Sequence, residues 1–156
     1  MKKMILTLAI AISSFTAFAS NAFSNPMVTE GEENVSKNVL DAFKTEFTTA
    51  KEVAWISGSD FYKASFIYNG EYVFAYYNPN GDLLGLTRYI SPVDLPLNLQ
   101  ISLKKNGNGF WISDLFEAAK NATTSYYITL ENADTKKVLR STDGSDWEVF
   151  KTVKKS

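Results

Sequence analysis

The chain carries no histidine and no cysteine. That removes Ser-His and Cys-His nucleophile pairs, zinc ligation of the usual kind, haem attachment and disulfides. Enzymes can run on carboxylates or lysine alone, but no such constellation stands out. Glu30, Glu32 and Glu33 cluster near the N-terminus and the other acidic residues scatter over turns and strand edges, which is the pattern of a solvated surface. Two stretches, Asn78-Pro79-Asn80-Gly81-Asp82 and Asp143-Gly144-Ser145-Asp146, set oxygen ligands beside a glycine as calcium loops do. They lack the full loop and its terminal bidentate glutamate, and hairpin turns favour the same residues for backbone reasons. Lys104-Lys105 and Lys154-Lys155 read as a helix C-terminus and a soluble tail. The sequence therefore predicts a non-enzymatic protein with no metal and no cofactor.

What remains is aromatic surface. Trp55, Trp111 and Trp147 each fall in a short predicted strand, where tryptophan serves core or sheet-edge packing more often than ligand binding. Tyr72, Phe74 and Tyr76 alternate along one strand and so share a face. Three exposed alternate aromatics would mark an interface. The other reading is that the stripe is covered by the second half of the chain, by the N-terminal leader or by a second copy.

The elements that place this stripe are written in residues 61–90. Asn69-Gly70 suits a two-residue type I′ hairpin, since both central residues can take positive φ. In 78–82, proline presets φ and glycine supplies the left-handed position of a second turn. With Asn69-Gly70 as the loop, Tyr68 faces Glu71, Phe66 faces Val73, Ala64 faces Ala75 and Lys63 faces Tyr76. One face then carries Tyr62, Ala64, Phe66, Val73, Ala75 and Tyr77, suited to packing under a helix. The other carries Lys63, Ser65, Ile67, Tyr72, Phe74 and Tyr76, the candidate partner-binding residues.

The rest of the chain supports that unit. Residues 1–19 have a basic start at Lys2 and Lys3, a short apolar run and an Ala17-Phe18-Ala19 ending, the signature of a secretory signal peptide; cleavage after Ala22 is the alternative. Residues 20–34 lack periodicity and read as a flexible leader. Val35, Val39, Leu40, Phe43 and Phe47 recur at spacings of three and four, predicting a helix capped by Asn34 or Ser36. A short strand around Trp55 follows. After Pro92 and Pro96, the residues Leu97, Ile101 and Leu103 predict a weaker helix, and four strand candidates fill 110–153. Helix, strand with tryptophan, strand, turn, strand, Gly-centred turn and strand thus occur twice, with Gly81 and Gly144 in equivalent turns. The formal net charge is −1, and loss of Lys2 and Lys3 on cleavage makes it more negative, so nothing suggests nucleic acid or an anionic membrane.

The helix VSKNVLDAFKTEF, the strand EVAWI and the segment FYKASFIYNGEYVFAYYNPNGDLLG resemble the secreted PepSY-like, beta-lactamase-inhibitor-like family, over about residues 35–153. The resemblance implies an α+β fold of two tandem repeats, 35–93 and a degenerate 94–156, each one helix packed on a four-stranded antiparallel sheet whose other face is open. Family members often alternate charged residues along that face, and this chain places Tyr72, Phe74 and Tyr76 there instead. It implies a periplasmic or secreted binding or inhibitory module that uses the open face against a protein or peptide, with no stable membrane insertion after signal cleavage. The alternative is a structural envelope protein that self-associates through the face; the chain is expected to be a monomer or a weak homodimer. N-terminal sequencing of exported protein is expected to start near Ser20; an intact Met1 on membrane-retained protein would contradict the signal-peptide reading.

Overall fold

The computed structural model describes residues 29–155, so the predicted signal peptide and most of the leader lie outside the described residues. Within them the strands are β1 (Thr29–Glu30), β2 (Lys51–Ser57), β3 (Tyr62–Tyr68), β4 (Glu71–Tyr77), β5 (Leu83–Tyr89), β6 (Trp111–Lys120), β7 (Thr123–Glu131), β8 (Thr135–Ser141) and β9 (Glu148–Lys154). Two helices interrupt them, α1 (Lys37–Glu46) before β2 and α2 (Leu97–Asn106) before β6. The two-residue β1 and a 3-10 turn over Glu32–Asn34 occupy sequence read as leader, with β1 paired to the end of β2.

The central hairpin forms as its turn dictates. Asn69 and Gly70 both have positive φ, 52° and 86°, and the β3–β4 register runs from Tyr62↔Tyr77 through Lys63↔Tyr76 and Phe66↔Val73 to Tyr68↔Glu71. In the next turn the Asn78 carboxamide oxygen accepts from the backbone of Asn80 and Asp82. Gly81 in that turn has φ 93°, and a Cβ there would lie 2.9 Å from the Asn38 carbonyl of α1. Only glycine lets this turn sit against the helix. Ser36 occupies the helix N-cap but does not cap with its side chain; its hydroxyl donates to the Pro79 carbonyl at 3.4 Å, tying the helix start to the same turn.

Two apolar cores lie under the helices, and Phe116 and Tyr127 form a smaller buried cluster on the opposite face. Val39, Phe43 and Phe47 descend from the α1 segment onto Trp55, Ala64, Phe66, Ala75 and Tyr77. Under α2, Leu95 and Leu99 pack on Leu115, Ile128, Leu130 and Leu139, and the Trp147 indole donates to the Leu99 carbonyl at 3.1 Å. Of the residues that predict this second helix, Leu103 alone faces the core. Leu97 and Ile101 point to solvent, and the buried row is Leu95, Leu99 and the partly buried Leu103.

The expectation of two repeats, each a helix on its own four-stranded sheet, is overturned. The strands form one nine-stranded antiparallel sheet in sequence order, and β5 pairs with β6 through Leu86↔Ala119, Thr87↔Ala118, Arg88↔Glu117 and Tyr89↔Phe116. The fold is mostly β, with two short helices. The reason is physical: β5 ends one set of strands with an unpaired edge, β6 starts the next with another, and joining them satisfies both rows of backbone groups. Because paired residues share a face, the register carries Leu86 of the first core to Ala119, and Leu115 of the second lies on the same side of β6. Both helices therefore cover one face, and among the described residues the other face carries no helix.

Phe66 is fully buried, with ring centroids 4.9 Å from Phe43 and 4.8 Å from Phe47. Phe66→Ala is expected to cost about 3 to 5 kcal/mol, and Phe74→Ala on the half-buried opposite face about 1 to 2. Denaturant melts check the order, and its reversal would contradict the register.

Candidate functional site

On the helix-free face the six residues singled out from the sequence lie together as the hairpin register requires, with Lys63 opposite Tyr76, Ser65 opposite Phe74 and Ile67 opposite Tyr72. They differ in exposure. Tyr72 is open at 54%; Lys63, Ser65, Ile67 and Phe74 are half-buried; Tyr76, read as surface, is buried at 8%. Tyr76 packs beside Phe61 at a centroid distance of 6.4 Å and shares a hydrogen bond with the Thr87 hydroxyl, while burial pushes its phenol well above the ordinary tyrosine value. It braces the face from within. The Lys63 ammonium stands 4.4 Å over the Phe74 ring, and burial pulls its pKa down.

The stripe extends beyond β4. Tyr89 on β5, exposed at 58%, meets Phe74 edge-on at 5.6 Å, and Phe74 meets Tyr72 at 6.2 Å. From Tyr89 the register continues to Phe116, Tyr127, Arg140 and Glu148 across β6, β7, β8 and β9. Phe116 and Tyr127 stack at 5.1 Å, Phe150 meets Tyr127 edge-on, and the Arg140 guanidinium lies over Phe150 while bonding Glu148 at 2.6 Å. Sequence reasoning missed Tyr89, Phe116, Tyr127 and Phe150. The available signal was the alternation of Gly85, Thr87 and Tyr89, which pairs them with the stripe once the irregularity between Tyr76 and Tyr77 is allowed for.

Trp111, for which the sequence suggests core or sheet-edge packing, is 54% exposed, with the Lys155 ammonium 5.0 Å from its ring. Trp55 is buried and Trp147 partly so. Near Trp111, Glu131 accepts from Ser113 at 2.7 Å and pairs with Lys155 at 2.7 Å and Lys136 at 3.2 Å, which hold its carboxyl down to about 2. This clip fastens the C-terminal tail to the sheet. The arrangement offers apolar contact area and a few fixed charges. No group of acidic side chains suited to a metal occurs among the described residues, and none of their helices is long and apolar enough to cross a membrane.

No protein-family description matches the sequence, and no curated protein does. Solved structures match the fold. A BLIP-like protein from Bacteroides fragilis superposes with a TM-score of 0.67 at 19% identity, over 78% of this chain and 89% of that one. A DUF2874 family protein from Bacteroides ovatus gives 0.68 at 19%, over 78% and 88%. A candidate periplasmic protein from Bacteroides eggerthii gives 0.67 at 14%, over 77% and 88%. The beta-lactamase-inhibitor-like resemblance over about residues 35–153 is thus borne out at the level of fold.

Proposed function

We propose that this chain is a non-enzymatic binding module of the periplasm or the medium that engages a protein or peptide partner through its helix-free sheet face. The observation that carries the reading is the placement of both helices on one side of a single sheet. The opposite side then presents Tyr72, Phe74 and Tyr89 as a contiguous aromatic patch rimmed by Lys63, Ser65 and Ile67. Rings of this kind deliver large contact area for little rotamer entropy and dominate binding hot spots. Tyr76 belongs to the site as a support, since its burial fixes the strand that carries the other two. The periplasmic designation of one structural neighbour and the BLIP-like designation of another support the location and the inhibitory form of the idea. Self-association through the same patch is the competing use.

The test is capture of a partner from periplasmic extract of the native host by the mature chain, compared with Tyr72→Ser, Phe74→Ser, Tyr89→Ser together. A control triple, Val93→Ser, Leu97→Ser, Ile101→Ser, alters the exposed residues flanking and on α2 instead. Loss of capture in the first variant alone, with circular dichroism unchanged, is the expected outcome. Capture retained by a folded aromatic triple would place the site elsewhere. A mass that rises with concentration in the wild type and not in the triple would favour self-association.

A further inference from the structure

After Tyr89 the chain leaves the sheet. The Ile90 amide still donates to the Leu115 carbonyl at 3.1 Å, but Pro92–Asp94 then forms a 3-10 turn. The N-terminal part of β6 is consequently paired with β7 alone. Beside it lies an open hollow of about 570 Å³, walled by Tyr89, Ile90 and Pro92 on one side and by Ile112, Asp114 and Leu115 on the other. β6 has an irregular register between Ile112 and Asp114, and Asp114 comes out on the same face as Phe116. Such bulges re-aim side chains and recur beside functional sites.

Asp114 is the anomaly in this hollow. It is half-buried, and among the described residues no lysine or arginine stands within ion-pairing distance of it. Lys136 acts on it electrostatically but forms its ion pair with Glu131 instead, at 3.2 Å. A backbone hydrogen bond from Leu115 stabilises the carboxylate, yet burial outweighs it and pushes the carboxyl above its ordinary value. A partly desolvated anion with no direct ion pair is costly, and a guest cation would relieve that cost.

We propose that the hollow is a subsite for one arginine side chain of the docking partner, with Asp114 as its counter-ion and the Tyr89 ring flanking the guanidinium. A flat, weakly hydrated guanidinium suits a carboxylate beside an aromatic ring better than an ammonium does. Ile90, Pro92, Ile112 and Leu115 line the hollow with the apolar surface that an aliphatic stem would cover. Tyr89 belongs both to the exposed aromatic patch and to the wall of the hollow, so one partner surface can reach the two together. The inference rests on the open-face reading and names the chemistry that reading lacks.

The experiment needs no partner. ¹⁵N-labelled mature protein is titrated with N-acetyl-arginine methylamide and, separately, with its neutral isostere N-acetyl-citrulline methylamide. Saturable shifts confined to Tyr89 and residues 112–115 are expected with the arginine compound and not with the citrulline one. Asp114→Asn should weaken arginine binding at least about fivefold, a loss of roughly 1 kcal/mol. Tyr89→Leu, which keeps the carboxylate, should also weaken it and serves if Asp114→Asn disturbs the spectrum elsewhere. No saturation with arginine, equal binding of citrulline, or undiminished binding by a folded Asp114→Asn overturns the proposal. Failure here leaves partner capture by the aromatic patch standing, so the two readings fail separately.

Discussion

Everything distinctive about this molecule depends on the pairing of β5 with β6. Four residue pairs, from Leu86↔Ala119 to Tyr89↔Phe116, turn two sets of strands into one sheet. Side chains alternate across a strand, so this register decides which residues of the second half share a face with those of the first. It brings the α1 and α2 cores to the same side. On that side the seam is filled by Arg88, which bonds Glu117 at 2.6 Å and approaches Glu71 at 3.6 Å. On the other side it sets Tyr89 against Phe116 and so connects the stripe of β4 to the stacked rings of β6 and β7.

A sheet of this length has two outer edges to manage, and they are treated differently. At one end the short β1 covers only the last residues of β2, and the uncovered part of β2 is broken by a register shift where Glu52 takes φ 53°. At the other end β9 has no further strand beside it among the described residues, and it carries Lys151 and Lys154 among its exposed residues. Bulges and lysines are common guards against edge-to-edge pairing. The outer edges are thereby kept unattractive, which leaves the face of the sheet and the interruption beside β6 as the proposed binding surface.

Much of the first half was legible because its turns are explicit. Asn69-Gly70 admits one hairpin geometry, and the register that followed is the one observed, pair by pair. The join between halves was not legible, since strand pairing across residues 90–110 depends on edges that need partners and no local signal marks it. Tyr76 was misread for a related reason. Alternation assigns a residue to a face, but burial on that face depends on Phe61 and on Thr87 of β5, which reach it from other elements. Trp111 erred in the opposite sense: its place at the start of β6, where β5 has already left the sheet, keeps it exposed.

Native-state hydrogen exchange tests the continuous sheet most directly. The amides of residues 86–89 and 116–119 that bridge β5 and β6 should exchange only through global unfolding, with the same protection free energy as the core amides of Ala75 and Ile128. Seam amides that open at markedly lower free energy than both cores would show two sheets in loose contact, and the single aromatic face would lose its physical basis.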